Sequence, residues 1–499
     1  MVHRLVFNIL KISYFPLAIF ILLLSLFFRL NNISQPLLDA HYFRQTQTAT
    51  YARNFYYGGI DLLHPKLDIA GLGKESILIL EFPFFEAIVA FLSRSFHYSD
   101  SIGRGVSIFF GLFGGVILFM LSQLLYHNRR ISLYAMIFFL FAPINIFFQQ
   151  AFMIESTVVA LHIYSLYLWY KYVTKRRLFF LFMASFATLL AFLQKSVYAP
   201  FLLFPILITV YGYMDRKKFS WSWIVALSLV LVIFTWWIKY VDYANILAGH
   251  SYFTLSNKDQ QTWNFGEIRE RFSFDIWKMR VSSILSFLTK FFLGAFALGV
   301  YFLIKKKIRE NLFLCGWLFS LFLYYLIFFR IQSHDYYFMI ITPPLALVAA
   351  IGLASIQEKL ERFHNNIIFK QGVGILVFLF LSLFIFKGWK NSLPYFSIDG
   401  KMVETLEVIN KTTIDGGNTV FIFPEYDWNS VWTYYTGLKG YATDLKGFDC
   451  RSFAELRRKG YKYLIFTDST ATKNSSCDPK DKDLQKIIDN KNILIYELV

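Results

Sequence analysis

YFPLAIFILLLSLFFRLNNISQPLLDAHYFRQTQTATYARNF, Tyr14 to Phe55, decides the fold class. Its first part, Tyr14 to Leu30, is a long apolar run interrupted only by Ser25 and, near its end, Arg29. With its neighbours it is long enough to cross a hydrocarbon layer, which takes about 20 residues of helix. Its second part, Leu37 to Phe55, sets a carboxylate (Asp39), an imidazole (His41) and a guanidinium (Arg44) close behind that run, ahead of a segment with aromatic and polar faces. An ionisable group kept at a membrane face is a functional candidate by default.

Working outward, Ile108 to Tyr126 and Val225 to Ile238 are runs of the same kind. The 499 residues are 56% hydrophobic and 20% aromatic, with 58 Phe and 17% charged residues. A soluble domain carries about 25% charged residues, so a soluble class is excluded. The first run reads as a retained span: it is long, has no small-residue cleavage site, and leads into the polar cluster. The net charge of +17 does not point to nucleic acid. The basic residues sit in short clusters between apolar runs, where they orient a chain in a membrane.

Those clusters are Arg4 and Lys11; Arg129 and Arg130; Lys171, Lys175, Arg176 and Arg177; Arg216, Lys217 and Lys218; Lys305, Lys306, Lys307 and Arg309; and Lys359 with Arg362. Read as cytoplasmic loops, they predict spans at 12–30, 102–126, 131–149, 152–171, 178–195, 197–214, 221–241, 284–304, 311–329, 336–356 and 367–388. That is eleven crossings, N-terminus inside and C-terminus outside. Phe82 to Phe96 is short and holds Pro83, Glu86 and Arg94, so it reads as an interfacial or re-entrant helix on the outer face. No internal repeat of fixed period is visible.

From about Asn391 charge rises and long apolar runs stop. Val403–Thr412, Ser452–Lys459 and Leu484–Asn490 read as helices; Thr419–Phe423, Tyr463–Thr467 and Ile493–Glu497 read as strands. The expected fold class is a polytopic α-helical membrane protein, with interfacial helices in the first outer loop, plus a small C-terminal α/β domain. The expected domains are 1–390 and 391–499. Cys450 and Cys477 lie in the second; an oxidising compartment would allow a disulfide, which two cysteines cannot establish.

Each candidate residue has a functional and a plain reading. Asp39 can take a proton from a hydroxyl, with His41 beside it, and Arg44 can grip a phosphate with two parallel hydrogen bonds; the plain reading is a solvated loop before an interfacial helix. Glu81 lies between Leu80 and Phe82, where a carboxylate is costly to bury unpaired. It can pair with Arg44 or Arg104, hold a cation or orient a substrate, or simply lie at the water boundary. Glu155 follows Gln149 and Gln150 in a nearly continuous apolar stretch, so it faces protein or a cavity; the plain reading is a carboxylate favoured by a helix N-terminus. Lys195 can balance an anionic headgroup or snorkel. His334 and Asp335, in QSHDYY (Gln332 to Tyr337), can bind phosphate, metal or sugar, while an aromatic belt accounts only for Tyr336 and Tyr337. Asp39 with His41, or His334 with Asp335, are the pairs open to a divalent metal. There is no phosphate-binding glycine loop, dinucleotide fingerprint, Cys/His metal spacing or nucleophile elbow. All eight residues are expected at one outward rim.

Together, Asp39 to Phe55, Glu81 to Ala90, Met153 to Ser156, Leu193 to Lys195 and His334 to Gly352 resemble the GT-C glycosyltransferases, in the bacterial branch near protein O-mannosyltransferases and aminoarabinose transferases. The resemblance covers about residues 10 to 390. It implies a polyprenyl-phosphate sugar donor, a glycan, lipid or protein acceptor, and work at the outer face of a bacterial cytoplasmic membrane. Asp39 looks like the first-loop catalytic carboxylate and Glu155 like the second acidic residue. His41, Arg44, Glu81, Lys195, His334 and Asp335 then bind donor phosphate or substrate. One departure is plain: the family has adjacent Asp-Glu, whereas this chain reads Asp39-Ala40-His41. Two rivals remain. An O-antigen ligase or polymerase would use a large Arg- and His-rich outer loop, and a lipid-linked sugar flippase would place charges near the bilayer middle.

Overall fold

A computed structural model describes residues 14–68, 76–213, 220–305, 309–330, 334–364, 366–412, 418–423, 429–444, 453–467, 484–489 and 493–498. Cys450, Cys477, Gln332 and the basic residues Arg4, Lys11, Arg216, Lys217, Lys218, Lys306 and Lys307 lie outside these. The chain forms two compact units. One is Met1–Ile33, Arg104–Ile238 and Lys258–Pro394; the other is Ser34–Gly103, Lys239–Asn257 and Tyr395–Val499.

The first unit is helical, and helix occurs at every expected span. Four helices among the described residues are long and apolar enough to cross a membrane: Asp100–Tyr126, Ser222–Leu247, Asp335–Phe363 and Ile367–Thr412. The pair Phe274–Phe287 and Lys290–Lys305, bent by 107°, makes a fifth if counted as one span. The second helix of that pair starts where Thr289 Oγ1 accepts from Phe292 N at 3.2 Å. Tyr14–Leu30, Leu178–Gln194, Leu202–Gly212 and Asn311–Ile327 are shorter apolar helices. The chain is thus a multi-pass membrane protein.

The span expected at 131–149 is broken into Arg129–Leu140 and Pro143–Phe148. Pro143 has no N–H to give the ladder, and the freed carbonyls need partners away from water. Arg29, fully buried, supplies them: its Nη2 donates to Leu140 O (2.7 Å) and Asn145 O (3.2 Å), and to Gln149 Oε1 (2.7 Å). Asn145 Nδ2 donates to Phe139 O (2.7 Å) and Thr342 Oγ1 (2.9 Å). Elsewhere glycine sets the packing. A Cβ at Gly299 would overlap the Val348 carbonyl, and one at Gly352 would overlap that of Ala295. Helices Lys290–Lys305 and Thr342–Phe363 therefore cross backbone to backbone, as small residues allow in a membrane.

The second unit holds a five-stranded sheet in the order β2-β1-β3-β5-β4, made of β1 Asn418–Phe423, β2 Gly440–Asp444, β3 Tyr461–Phe466, β4 Leu484–Asp489 and β5 Leu494–Leu498. β1 pairs parallel with β2 and β3; β5 runs antiparallel between β3 and β4. Of Leu484–Asn490, expected as a helix, Leu484–Asp489 is the edge strand β4, and Asn490 lies outside the described residues. Its register shifts between Lys486 and Ile488. Such a bulge inserts a residue and leaves Leu484, Ile487 and Ile488 at an apparently helical spacing. Strand β2 and helix Val431–Thr436 are additions to the expected elements. One face of the sheet packs Phe421, Ile465 and Ile495 against Leu406, Ile409 and Trp432; Leu38 joins this core and Tyr42 packs against it. The loop after the first apolar helix is thus built into the sheet unit.

Candidate functional site

Four of the eight candidate residues belong to the sheet unit. Helix Tyr42–Gly58 is polar yet Gln45 through Ala52 are all buried. Its threonines allow this: Thr46, Thr48 and Thr50 hydroxyls donate to the carbonyls of Tyr42, Arg44 and Thr46, at 2.8, 3.0 and 2.7 Å. The helix is covered more completely than one lying on a membrane surface. The following helix, Phe84–Phe96, fits the interfacial expectation better: it buries Phe85, Val89 and Ala90 and exposes Phe91 and Phe96.

The turn into the polar helix carries the cluster. His41 has φ 57°, a left-handed conformation unusual for a residue with a Cβ. It aims its carbonyl so that Arg44 N (2.9 Å) and Gln45 N (3.1 Å) both donate to it. Strain of this kind tends to sit at functional sites. Asp39 is 1% exposed and accepts from Gln45 Nε2, which also donates to Ala40 O at 2.9 Å. Arg44 Nη2 bonds Glu81 and its Nη1 donates to Gln47 Oε1 at 2.5 Å. Glu81 thus takes the first of the partners open to it. Tyr51, whose hydroxyl donates to Leu78 O at 2.6 Å, is held protonated: burial pushes its pKa well up, Arg44 opposes, and Glu81 and Glu86 add to the rise.

Tethers within the same unit fix this turn. Leu37 N donates to Tyr435 Oη at 2.6 Å, Ala40 N to Tyr395 O at 3.0 Å, and Gln35 Nε2 to Phe396 O at 2.8 Å. At the far end of the helix, Arg53 donates to Tyr434 O (2.6 Å) and Asp68 Oδ2 (2.7 Å) and lies 4.5 Å from the Tyr434 ring centroid. Tyr434 in turn donates to Asp100.

The other four residues belong to the helical unit. Glu155 opens helix Glu155–Lys175, and Lys195 caps the C-terminus of Leu178–Gln194. Each end suits the charge placed there. Lys195 Nζ lies 3.0 Å from Glu155 Oε1, and the two side chains are 3% and 1% exposed. Lys195 is therefore a buried partner of Glu155 and does not snorkel. Its ammonium also lies 4.8 Å from the Tyr337 ring centroid and 5.4 Å from that of Tyr336. His334 stacks on Tyr336 (5.4 Å, 7°) and sits 5.5 Å from Trp263; Asp335 starts the short helix Asp335–Ile341.

Three buried groups near this pair in sequence are polar beyond what the fold uses. Glu155 Oε2 and both amide atoms of Gln150 and Gln194 take no hydrogen-bond partner among the described residues. Buried polar atoms are nearly always satisfied, so a hydroxyl-rich ligand suits this set. Gln45, Gln47, Gln150, Gln194 and Arg53 were not singled out in the sequence. For Gln194 the signal was there, as a Gln-Lys step that ends an apolar run. Among the described residues no three His, Cys, Asp or Glu side chains gather into one metal-binding group.

Beyond the spans, Glu270 bonds Arg330, tying the segment 258–287 to 328–330 with help from Arg271, which donates to Leu326 O (2.7 Å) and Ile327 O (3.0 Å). Burial raises the Glu270 pKa, but the Arg330 hydrogen bond and charge and the Glu267 N–H outweigh it, so the net shift is downward from 4.5. A carboxyl lowered on folding stabilises above its unfolded pKa and loses that contribution as pH falls through its folded one. Amide protection factors across 258–287, corrected for the intrinsic exchange rate at each pH, should fall as pH drops below about 4.5, and Glu270→Gln should remove that dependence. An unchanged profile in the variant counts against the tether.

No protein-family model matches the chain, and no curated protein matches it. Solved structures do. ArnT from Cupriavidus metallidurans bound to undecaprenyl phosphate superposes with a TM-score of 0.68 at 12% identity, over 97% of this chain and 98% of that one. An oligosaccharyltransferase from Archaeoglobus fulgidus in the apo form gives 0.59 at 12%, over 92% and 70%. AglB from the same organism, in complex with an inhibitory peptide and a dolichol-phosphate, gives 0.58 at 11%, over 93% and 70%. The likeness runs over more than nine-tenths of the chain, which shares the fold of these structures.

Proposed function

We propose that this protein is a membrane glycosyltransferase that moves a hexosyl or pentosyl group from a polyprenyl-phosphate donor to a hydroxyl acceptor. The observation that carries the reading is the full-length likeness to ArnT, whose structure holds undecaprenyl phosphate; the dolichol-phosphate in AglB points the same way. The proposed setting is the outer face of a bacterial cytoplasmic membrane, with eleven crossings, the N-terminus inside and 391–499 outside.

Asp39 is the proposed base. As the acceptor oxygen attacks the anomeric carbon, its proton passes to the Asp39 carboxylate, and the lipid phosphate leaves with the bonding pair. Direct displacement inverts the anomeric centre. Glu155 orients sugar hydroxyls through Oε2 while Lys195 holds Oε1. Arg44, His41, Lys195 and His334 supply positive charge or hydrogen bonds to the departing phosphate; Glu81 fixes Arg44, and Asp335 contacts substrate. A divalent metal is not required by this scheme.

The test uses purified protein and a panel of polyprenyl-phosphate sugars with lipid, glycan and peptide acceptors. Transfer from at least one donor, with inverted anomeric configuration in the product, is expected. Flux of an intact lipid-linked sugar across vesicles without transfer would replace the reading with a flippase. Net retention would reject direct displacement.

A further inference from the structure

The sheet unit holds a cavity of about 510 Å³ away from Asp39, between the C-terminal end of helix Tyr42–Gly58 and the N-terminal ends of β1, β2 and β3. This volume lies within the range of small-ligand sites, about 300–1,000 Å³. Lys66 and Lys439 both line it, and among the described residues neither is in an ion pair. The carboxylate in the lining, Asp68, is already bound by Arg53 Nη2 at 2.7 Å and Asn54 Nδ2 at 3.1 Å. The lining is therefore cationic. Tyr57 and Tyr461 add aromatic surface, and Asn54 and Asn418 add amides. Flat aromatic faces suit the apolar side of a sugar ring, amides suit its hydroxyls, and two ammonium groups suit an acid on it.

We propose that this cavity is a second carbohydrate site that takes an anionic sugar, one bearing a carboxylate or a phosphate. It does not depend on the catalytic reading, because its residues carry none of the proposed chemistry.

The test is calorimetric titration of the full-length protein in detergent with a galacturonate tetramer, glucose 6-phosphate and neutral maltotetraose. At least one acidic probe should bind tenfold or more tighter than the neutral one, and which acid wins separates carboxylate from phosphate. The double variant Lys66→Gln/Lys439→Gln should erase the preference. Gly58 provides an independent check: a Cβ there meets nothing within 4 Å, so Gly58→Trp extends into open space at the cavity wall. It should abolish binding with no change in thermal midpoint. Equal affinity for acidic and neutral probes, or full affinity in Gly58→Trp, overturns the proposal. A protein that binds these probes but transfers no sugar would keep this site and lose the catalytic reading; the reverse pattern would do the opposite.

Discussion

Lys195→Met is expected to destabilise the helical unit by about 3–5 kcal/mol, the usual cost of stranding a buried charge. The figure follows from burial: the Glu155 carboxylate, 1% exposed, would lose the ammonium 3.0 Å away and keep only the helix N-terminus as compensation. Methionine matches the stem of lysine in length and apolar character, so packing against Tyr336 and Tyr337 is largely retained. A drop in thermal midpoint in detergent checks the single variant. The double variant Glu155→Gln/Lys195→Met should recover most of the loss, since removing both charges together is often close to neutral. Sugar transfer, however, should stay depressed in the double variant, because the oxygen that would meet substrate has lost its charge. Recovery of both properties would show that the pair serves the fold alone. A single variant as stable as the parent would mean that solvent reaches the pair.

Asp39→Asn should lower the turnover of the proposed reaction by about 10²- to 10⁴-fold, the range for losing a general base. Stability should barely move. Asparagine keeps an oxygen where Gln45 Nε2 donates, and the backbone tethers at Leu37 and Ala40 do not involve the side chain. This separation gives the prediction its force. A carboxylate that only braced the turn would shift the thermal midpoint and leave turnover intact. A tenfold or smaller loss in rate would remove Asp39 as the base and turn attention to Glu155.

Much of this was readable before any coordinates. Apolar runs and basic loops locate helix at all eleven expected positions, because the need to bury backbone hydrogen bonds in lipid leaves few alternatives. Asp39, Arg44, Glu81, Glu155 and Lys195 stand out as ionisable residues among apolar neighbours. Their partners were harder to see. Glu155 and Lys195 are 40 residues apart, and nothing local marks two helix ends as neighbours. Arg29 reads as the ordinary end of a span, yet it satisfies a broken helix more than 100 residues away. Gln150 reads in the sequence only as polar context for Glu155, and Gln194 carries no charge that would set it apart. The bulge in β4 imitated a helix for the reason that one extra residue changes a period of two.

The bonding of the first loop to helix Val431–Thr436 near the C-terminal end also bears on how the molecule comes into being. Leu37 donates to Tyr435, a residue made 398 positions later. At about 5–20 residues per second on the ribosome, that interval is roughly 20–80 seconds. Through that time Leu38 and Tyr42 would wait without the strands that later cover them. The new loop must therefore be kept from premature aggregation or cleavage until the last strands arrive, and premature stop codons near the end of the gene would harm the beginning of the protein.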